Sequence, residues 1–579
     1  MAPPGRFSHH RAHAPPAPQI APRAPGTGLR GLLRTIDGGP FHAYRRILGE
    51  HELGDFSLSV LSVPPDALGG PARARLSIDR VRAGLEGEWS RGDVARLVIE
   101  DAIVRAATRA IAELAGPSAA SAPGSGRVWI DPQGSGLAAR TNARVGDERL
   151  DLALAIDLPA ADRRVRGQQA ELILFEHLPR VGMAALLFPQ RRVNETRPRV
   201  EAVARSRAAA SALAGRGLAA LLTPSALPGR IIPSGSSTTI ETAQGPVTGL
   251  GIPTGITLFV TQGVAGAGAW LRDLVSAPGS TDRGSAIVAV PVATLRPSRR
   301  AFGPLDLRAF VAACPEVPDP KAYVTDDGPA PLAVAASLIE AVEAGARILV
   351  LDEDESPAGT FGTDERLQGI LGGPTVLRPL TERLPELRDR WGLSFLVASR
   401  SGGSLFDVAD SVFVLRDDRI ENASDAVRAL RRKAPSVRPN AISCAVTPLP
   451  PVRSMRIPAE GAPAPLKVAA WGTRGVRVGE DLVDLKDTTL AGDPARLRAI
   501  AALLKRAASE APTWRPFEDV IDALEAAAAR PLLDRLEEPG LVDLAGPSRL
   551  EIAAALVRWK RVNFRVDAAR LSAASEDPQ

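Results

Sequence analysis

The apolar and polar positions fall into stretches of different period along the chain. Phe56-Ser-Leu-Ser-Val-Leu-Ser-Val alternates as a half-buried strand does, and Val94 to Leu114 carries apolar residues at helical spacing. A Ser/Ala/Pro/Gly stretch at 116–126 marks a loop, followed by a strand at Leu150 to Leu158 and a helix from about Gln168 to Leu187. The middle third alternates short β-rich runs with helical segments. The runs are Ile256-Thr-Leu-Phe-Val, Ala286-Ile-Val-Ala-Val, Ile348-Leu-Val-Leu, Leu393-Ser-Phe-Leu-Val and Val412-Phe-Val-Leu; the helices include Leu332 to Ala344 and Leu377 to Arg390. Such alternation predicts a parallel sheet covered by helices. Residues 466–566 read as a small α+β domain with two short strands and helices near 494–509, 516–530 and 548–560.

Length divides the chain further. At 579 residues it exceeds one compact core, so several domains are expected. Residues 1–28, rich in Pro, Ala, Arg and His, read as a disordered tail, 435–465 as a Pro-rich linker and 567–579 as a frayed end. Between them lie an N-terminal domain at 29–163, a core at 164–434 and the C-terminal domain at 466–566.

Charge and cysteine usage remove several function classes. The formal net charge of +5 is accounted for by residues 1–50, where seven Arg face only Asp37 and Glu50. A general polyanion-binding surface is not supported, and any such site must be a local patch. Cys314 and Cys444 are too few for a disulfide framework or a cysteine-rich metal site. The N-terminus lacks the apolar segment of a signal peptide, and no apolar run approaches the ~18–20 residues that span a bilayer. A cytoplasmic protein with no membrane partner is expected. Arg greatly outnumbers Lys, the bias of GC-rich bacterial coding.

Two segments carry candidate chemistry. Residues 256–275 have the shape of a P-loop: the strand ITLFV, the turn TQGVAGAG and the helical AWLRDLV. Backbone N–H groups of such a turn converge on phosphate at the helix N-terminus. The candidate nucleotide-binding residues are Gly263, Gly266, Ala267, Gly268 and Ala269. A working GxxxxGK[ST] would place lysine at 267 and a hydroxyl at 268, where Ala and Gly stand, and the first lysine of the chain is Lys321. The second segment, Ala346-Arg-Ile-Leu-Val-Leu-Asp-Glu-Asp354, is an apolar strand ending in acids, the form of a Walker B. In a working site Asp352 holds Mg²⁺ and Glu353 orients the attacking water. The same segment also reads simply as a strand followed by a charged turn.

Further motifs resemble one family over about residues 29–566. Leu33-Arg-Thr-Ile-Asp-Gly-Gly-Pro-Phe-His-Ala-Tyr44 and Gly54-Asp-Phe-Ser-Leu58 are similar to the N-terminal domain of the ATPases of the ABC class. Gly167-Gln-Gln-Ala-Glu171 and Gly249-Leu-Gly-Ile-Pro-Thr-Gly-Ile-Thr-Leu258 resemble its approach to the P-loop. Glu340-Ala-Val-Glu-Ala-Gly345 through Ser356 matches its approach to the Walker B, Phe406-Asp-Val-Ala-Asp410 a later segment, and Arg549-Leu-Glu-Ile-Ala-Ala-Ala-Leu-Val-Arg558 its C-terminal helix. The resemblance implies an α/β fold: a P-loop ABC-type core with an N-terminal α+β domain and a small C-terminal α+β domain. It also implies ATP and Mg²⁺ as cofactors, RNA or other nucleic acid as partner, and a dimer.

The departures cluster at the nucleotide. The family's Gly-Lys-Ser is Gly266-Ala267-Gly268 here, its signature region is replaced by Asp327-Gly-Pro-Ala-Pro331, and no histidine follows His177. The expectation is therefore a pseudo-ATPase kept as a scaffold or binding module. The alternatives are a slow, genuine ATPase using another cation, and a regulatory subunit pairing with an intact homologue. Candidate nucleic-acid patches are Arg191-Arg192 with Arg197 and Arg199, Arg428 with Arg431-Arg432-Lys433, and Arg558-Trp559-Lys560-Arg561-Val-Asn-Phe-Arg565. The last interleaves aromatics with cations as stacking on single strands requires. It fits equally a helix and final strand with core aromatics beneath solvated charges.

Overall fold

The structure is a computed structural model. It describes residues 28–566 except 116–123, 132–135, 224–231, 235–236, 262–270, 272–286, 289–290, 296–299, 312–316, 358, 363–369, 371–377, 401–402, 417–418, 434–452, 459–465, 487, 489–491, 511, 531 and 539–541. The two tails, both cysteines and every candidate P-loop residue lie outside the described residues.

The chain forms two compact units, and the first comprises residues 1–78, 110–129 and 153–183. Its strands Gly49–Leu53, Phe56–Ser62 and Ala72–Asp79 form an antiparallel meander. Alternate residues Phe56, Leu58 and Val60 are buried, which is what the period of two demands. Two motifs distant in sequence meet here. The Asp37 carboxylate accepts the Gly167 N–H at 2.6 Å, and Gly38 and Gly39 exchange backbone hydrogen bonds with Val165. A Cβ on Gly167 would stand 2.6 Å from the Leu33 carbonyl oxygen, so only glycine permits this approach. Tyr44 closes the arrangement by donating its hydroxyl to the Pro159 carbonyl, and burial pushes that hydroxyl's pKa well up.

The second unit holds residues 79–109, 130–152 and 184–579. Its centre is a seven-stranded sheet in the order Ile232–Ser234, Arg419–Asn422, Ser411–Arg416, Ile256–Thr261, Ser394–Ser399, Ile348–Asp352, Val292–Thr294. The last five run parallel. These strands read as unbroken apolar runs because both faces are covered. Ile256, Leu258, Leu349, Leu351, Phe395 and Val397 face the helices Ala330–Glu343 and Leu380–Trp391. Phe259, Ile348, Val350, Leu396 and Phe413 face the opposite way, toward Leu222, Leu250, Ile252 and Leu271.

Two expectations about strands are corrected. The run at 286–290 supplies Ile287–Val288, but this pairs antiparallel with Leu218–Leu222 in a separate four-stranded sheet. An apolar run carries no signal for which sheet it joins. The C-terminal domain has three strands at 468–484 where two were expected, and Arg453–Arg456, inside the expected linker, is the centre of another three-stranded sheet. The helices Pro494–Ser509, Phe517–Ala528 and Arg549–Val557 follow the expected positions; Asp493 caps the first, and Ser548 with Glu551 forms a capping box on the last.

Residues 79–109 and 130–152 are tied to the C-terminal domain by charge. Arg140 pairs with Asp493 at 2.9 Å, Arg498 with Asp131, and Arg530 with Glu100 at 3.7 Å. Burial is the main reason the Glu100 carboxyl is pushed up to about 7, Arg530 opposing it. The folded chain therefore holds a proton that the unfolded chain releases near pH 4.5. That contribution is complete below the unfolded value and is lost as pH rises through 7. Glu100→Gln removes the loss, so its effect on stability should be roughly 2–3 kcal/mol more favourable at pH 8 than at pH 5. Urea midpoints at the two pH values check this, and equal effects at both would contradict it.

Candidate functional site

Strand register brings three chain segments to one end of the central sheet. Val260 lies opposite Ser399 and Asp352 opposite Ala398, so the strands leading to the P-loop, from the Walker B and from Ser394 all end together. The carboxyl end of a parallel sheet is where open α/β folds bind ligands. The P-loop strand and the Walker B strand are not neighbours, since Ser394–Ser399 lies between them and contacts both.

The base of the P-loop strand is fixed by motif residues. The Asp410 carboxylate accepts the Ile256 N–H at 2.8 Å, while the Asp410 N–H returns a bond to the Ile256 carbonyl. Arg388 pairs with the same carboxylate at 2.5 Å. Gly255 has φ +104°, and a Cβ there would stand 2.5 Å from Asp410 Oδ2. Phe406–Asp410 and Gly249–Leu258, far apart in sequence, thus meet to place the strand that launches the loop.

Asp352 and Glu353 stand side by side at the end of their strand, and each is partly exposed. Asp352 Oδ1 accepts the Asp354 N–H at 3.1 Å, and the Asp352 carbonyl accepts the Ser356 hydroxyl at 2.7 Å. Glu353 reaches across to the neighbouring strand. Its Oε2 accepts the Ser399 hydroxyl at 2.6 Å and the Arg400 N–H at 2.9 Å. The Arg400 guanidinium pairs with Asp354 at 2.9 Å, which raises its pKa. Both carboxylates are therefore engaged by the turn and by the adjacent strand end. Ser399 and Arg400 were not singled out from sequence; their position one strand over, at the same sheet end, becomes visible only through register.

The replaced signature segment leads directly into the helix Ala330–Glu343, whose far end is braced by two arginines. Arg453 forks onto Glu343 at 2.6–3.0 Å, and Arg549 donates to the Ala344 carbonyl at 2.8 Å. Arg453 itself lies over the Phe564 ring at 4.5 Å. Among the described residues, no group of three or more His, Cys, Asp or Glu is placed to hold a metal ion. Among them, too, no single helix is long and apolar enough to cross a membrane.

The candidate nucleic-acid patches are largely occupied. Arg191 pairs with Glu195, Arg197 with Glu201, Arg199 with Asp101, and Arg428 with Asp425. At the C-terminus the expected stacking surface is corrected. Trp559 is 1% exposed and donates its ring N–H to Asp481, and Phe564 and Val562 are buried with it. Arg558 donates to the Ala554 carbonyl, Lys560 lies over Phe302 and 3.5 Å from Asp326, and Arg561 is half-buried. The interleaving of cations and aromatics spans a helix end, a turn and the strand Asn563–Val566, with Trp559 and Phe564 inward and Lys560 and Arg565 outward. A surface aromatic does meet two cations nearby. Trp514, partly exposed, has the Arg565 guanidinium over its ring at 4.5 Å and that of Arg456 at 5.0 Å. In sequence these three residues lie on separate strands and between helices, and only pairing assembles them.

Comparison with known proteins gives three matches along the chain. Residues 27–188 match the domain described as ATPase of the ABC class N-terminal, 226–449 the P-loop domain of the ABC ATPases, and 467–565 the MRB1590 C-terminal domain. No curated protein matches the chain. With these three domains matched in this order along the chain, the chain belongs to the ATPases of the ABC class.

Proposed function

We propose that this protein is a catalytically silent member of its family, an ABC-class ATPase fold retained as a scaffold or binding module. The observation that carries the reading is the set of side chains that the two motifs supply. Ala267 and Gly268 offer neither ammonium nor hydroxyl, and the carboxylates of Asp352 and Glu353 already accept hydrogen bonds from the protein. One carboxylate without a hydroxyl partner is a poor fit to Mg²⁺, which prefers octahedral oxygen ligands shared with substrate phosphates. Loss of the lysine removes a partner of the β- and γ-phosphates, a change of ~3–5 kcal/mol, or roughly two to four decades in affinity. RNA or other nucleic acid is the partner class this reading takes, with a nucleotide-independent homodimer or a pairing with a competent relative as its assembly.

One observation favours a slow, genuine ATPase instead. Arg400 directly follows Ser399, at the same sheet end as Thr261 and Asp352, and could supply the missing positive charge. In that case Arg400→Ala abolishes turnover.

Calorimetric titration with Mg·ATP tests the proposal. Wild type should give no saturable heat at micromolar nucleotide, whereas Ala267→Lys with Gly268→Ser should bind measurably without full turnover, since the signature at 327–331 is still replaced. Micromolar binding by wild type would contradict the reading.

A further inference from the structure

The three-stranded sheet of the C-terminal region has two unlike faces. Arg453–Arg456 is its central strand, flanked by Asn563–Val566 and Arg515–Pro516, both antiparallel. Met455 lies opposite Phe564, and both are buried in the domain core. The pleat therefore sends Arg456, Asn563 and Arg565 to the reverse face. Trp514, just before the third strand, lies on that face with both guanidiniums against its ring.

A guanidinium stacked on an aromatic ring is held in place while its N–H edge still points outward. Two such groups on one ring would repel, and the ring's negative faces offset that. Arg456 has no carboxylate partner among the described residues; its Nε is buried without a hydrogen-bond acceptor, so a ligand can meet only the terminal nitrogens of its guanidinium. Arg515, on the neighbouring strand, is by contrast paired with Glu510. The exposed Asn563 adds an amide that can both donate and accept. Pre-ordered cations, a flat aromatic and an adaptable amide together suit a ligand carrying phosphates and planar bases in alternation.

We propose that this face binds single-stranded nucleic acid, with Arg456 and Arg565 contacting phosphates and the Arg–Trp514 stack supporting unpaired bases. A duplex hides its base faces and leaves the stack unused. The assignment rests on the reading of nucleic acid as partner and locates it on a face different from the Arg558–Arg561 segment.

The test uses the full chain and a fluorescein-labelled 20-nucleotide oligouridylate, followed by anisotropy across salt concentration. Trp514→Ala should weaken binding about tenfold, while Trp514→Phe retains most of it. Arg456→Gln with Arg565→Gln should lower the salt slope by about 1.4, two phosphate contacts at ~0.7 each. Arg558, Lys560 and Arg561 changed together to Ala serve as the comparison and should have the smaller effect. Binding by wild type that survives both the Trp514→Ala and the double Gln changes overturns this site and leaves the partner reading standing. Absence of wild-type binding to oligouridylate, with retained binding to phosphopeptide or anionic vesicles, overturns both. Circular dichroism confirms that each variant is folded, and the conservative Phe and Gln variants keep the test valid if Trp514→Ala is not.

Discussion

Arg453→Ala should destabilise the chain by ~3–5 kcal/mol, measured as a drop in urea midpoint for the transition that includes the C-terminal region. The side chain is 2% exposed and its partner Glu343 7%. Removing the guanidinium leaves a carboxylate buried with no compensating charge. Burial already pushes the Glu343 carboxyl up and Arg453 opposes it, so the variant's Glu343 will protonate more readily. The loss should therefore be larger at pH 8 than at pH 5. Arg453→Met with Glu343→Leu should recover most of the stability, because removing both charges leaves no orphan. Arg453 also packs on Phe564, and its site includes the Pro304 carbonyl. A single-variant loss below about 1 kcal/mol would show that the brace on the helix entering the Walker B contributes little.

Trp559→Ala should have a comparable effect for a different reason. The indole is among the largest fully buried side chains, packed with Val476, Leu504, Leu556 and their neighbours, and its removal leaves a cavity. Large aromatic truncations of this kind cost ~3–5 kcal/mol. Trp514→Ala, on the surface, should cost less than about 1 kcal/mol. Thermal unfolding of the two variants side by side separates them. Equal destabilisation would mean that Trp514 is structural, and a mild effect at Trp559 would mean that the C-terminal core is loosely packed.

The two tryptophans illustrate what the sequence could and could not reveal. Period and propensity located four of the five parallel strands, because runs such as Ile256–Thr261 and Ser394–Ser399 are apolar on both faces, and missed the three-residue Val292–Thr294; long helices such as Asp93–Ala115 carry many repeats of their pattern. The same information could not assign Ile287–Val288 to the antiparallel sheet, since pairing partners are a long-range property. Nor could it separate inward aromatics from outward cations at 558–565, where helix end, turn and strand follow within eight residues. The Walker B acids were legible as chemistry, yet their engagement by Ser399 and Arg400 depends on register between strands 46 residues apart. Glycines such as Gly255 were visible as motif members; the reason for them, the approach of Asp410, was not.

Catalytic silence is tested most directly by steady-state phosphate release from Mg·ATP, with Glu353→Gln as the matched control. Glu353 is the residue that would orient the attacking water in a working site. The account predicts that wild type and Glu353→Gln release phosphate at the same background rate, with or without Mg²⁺. A Mg²⁺-dependent rate in wild type that Glu353→Gln abolishes would contradict it.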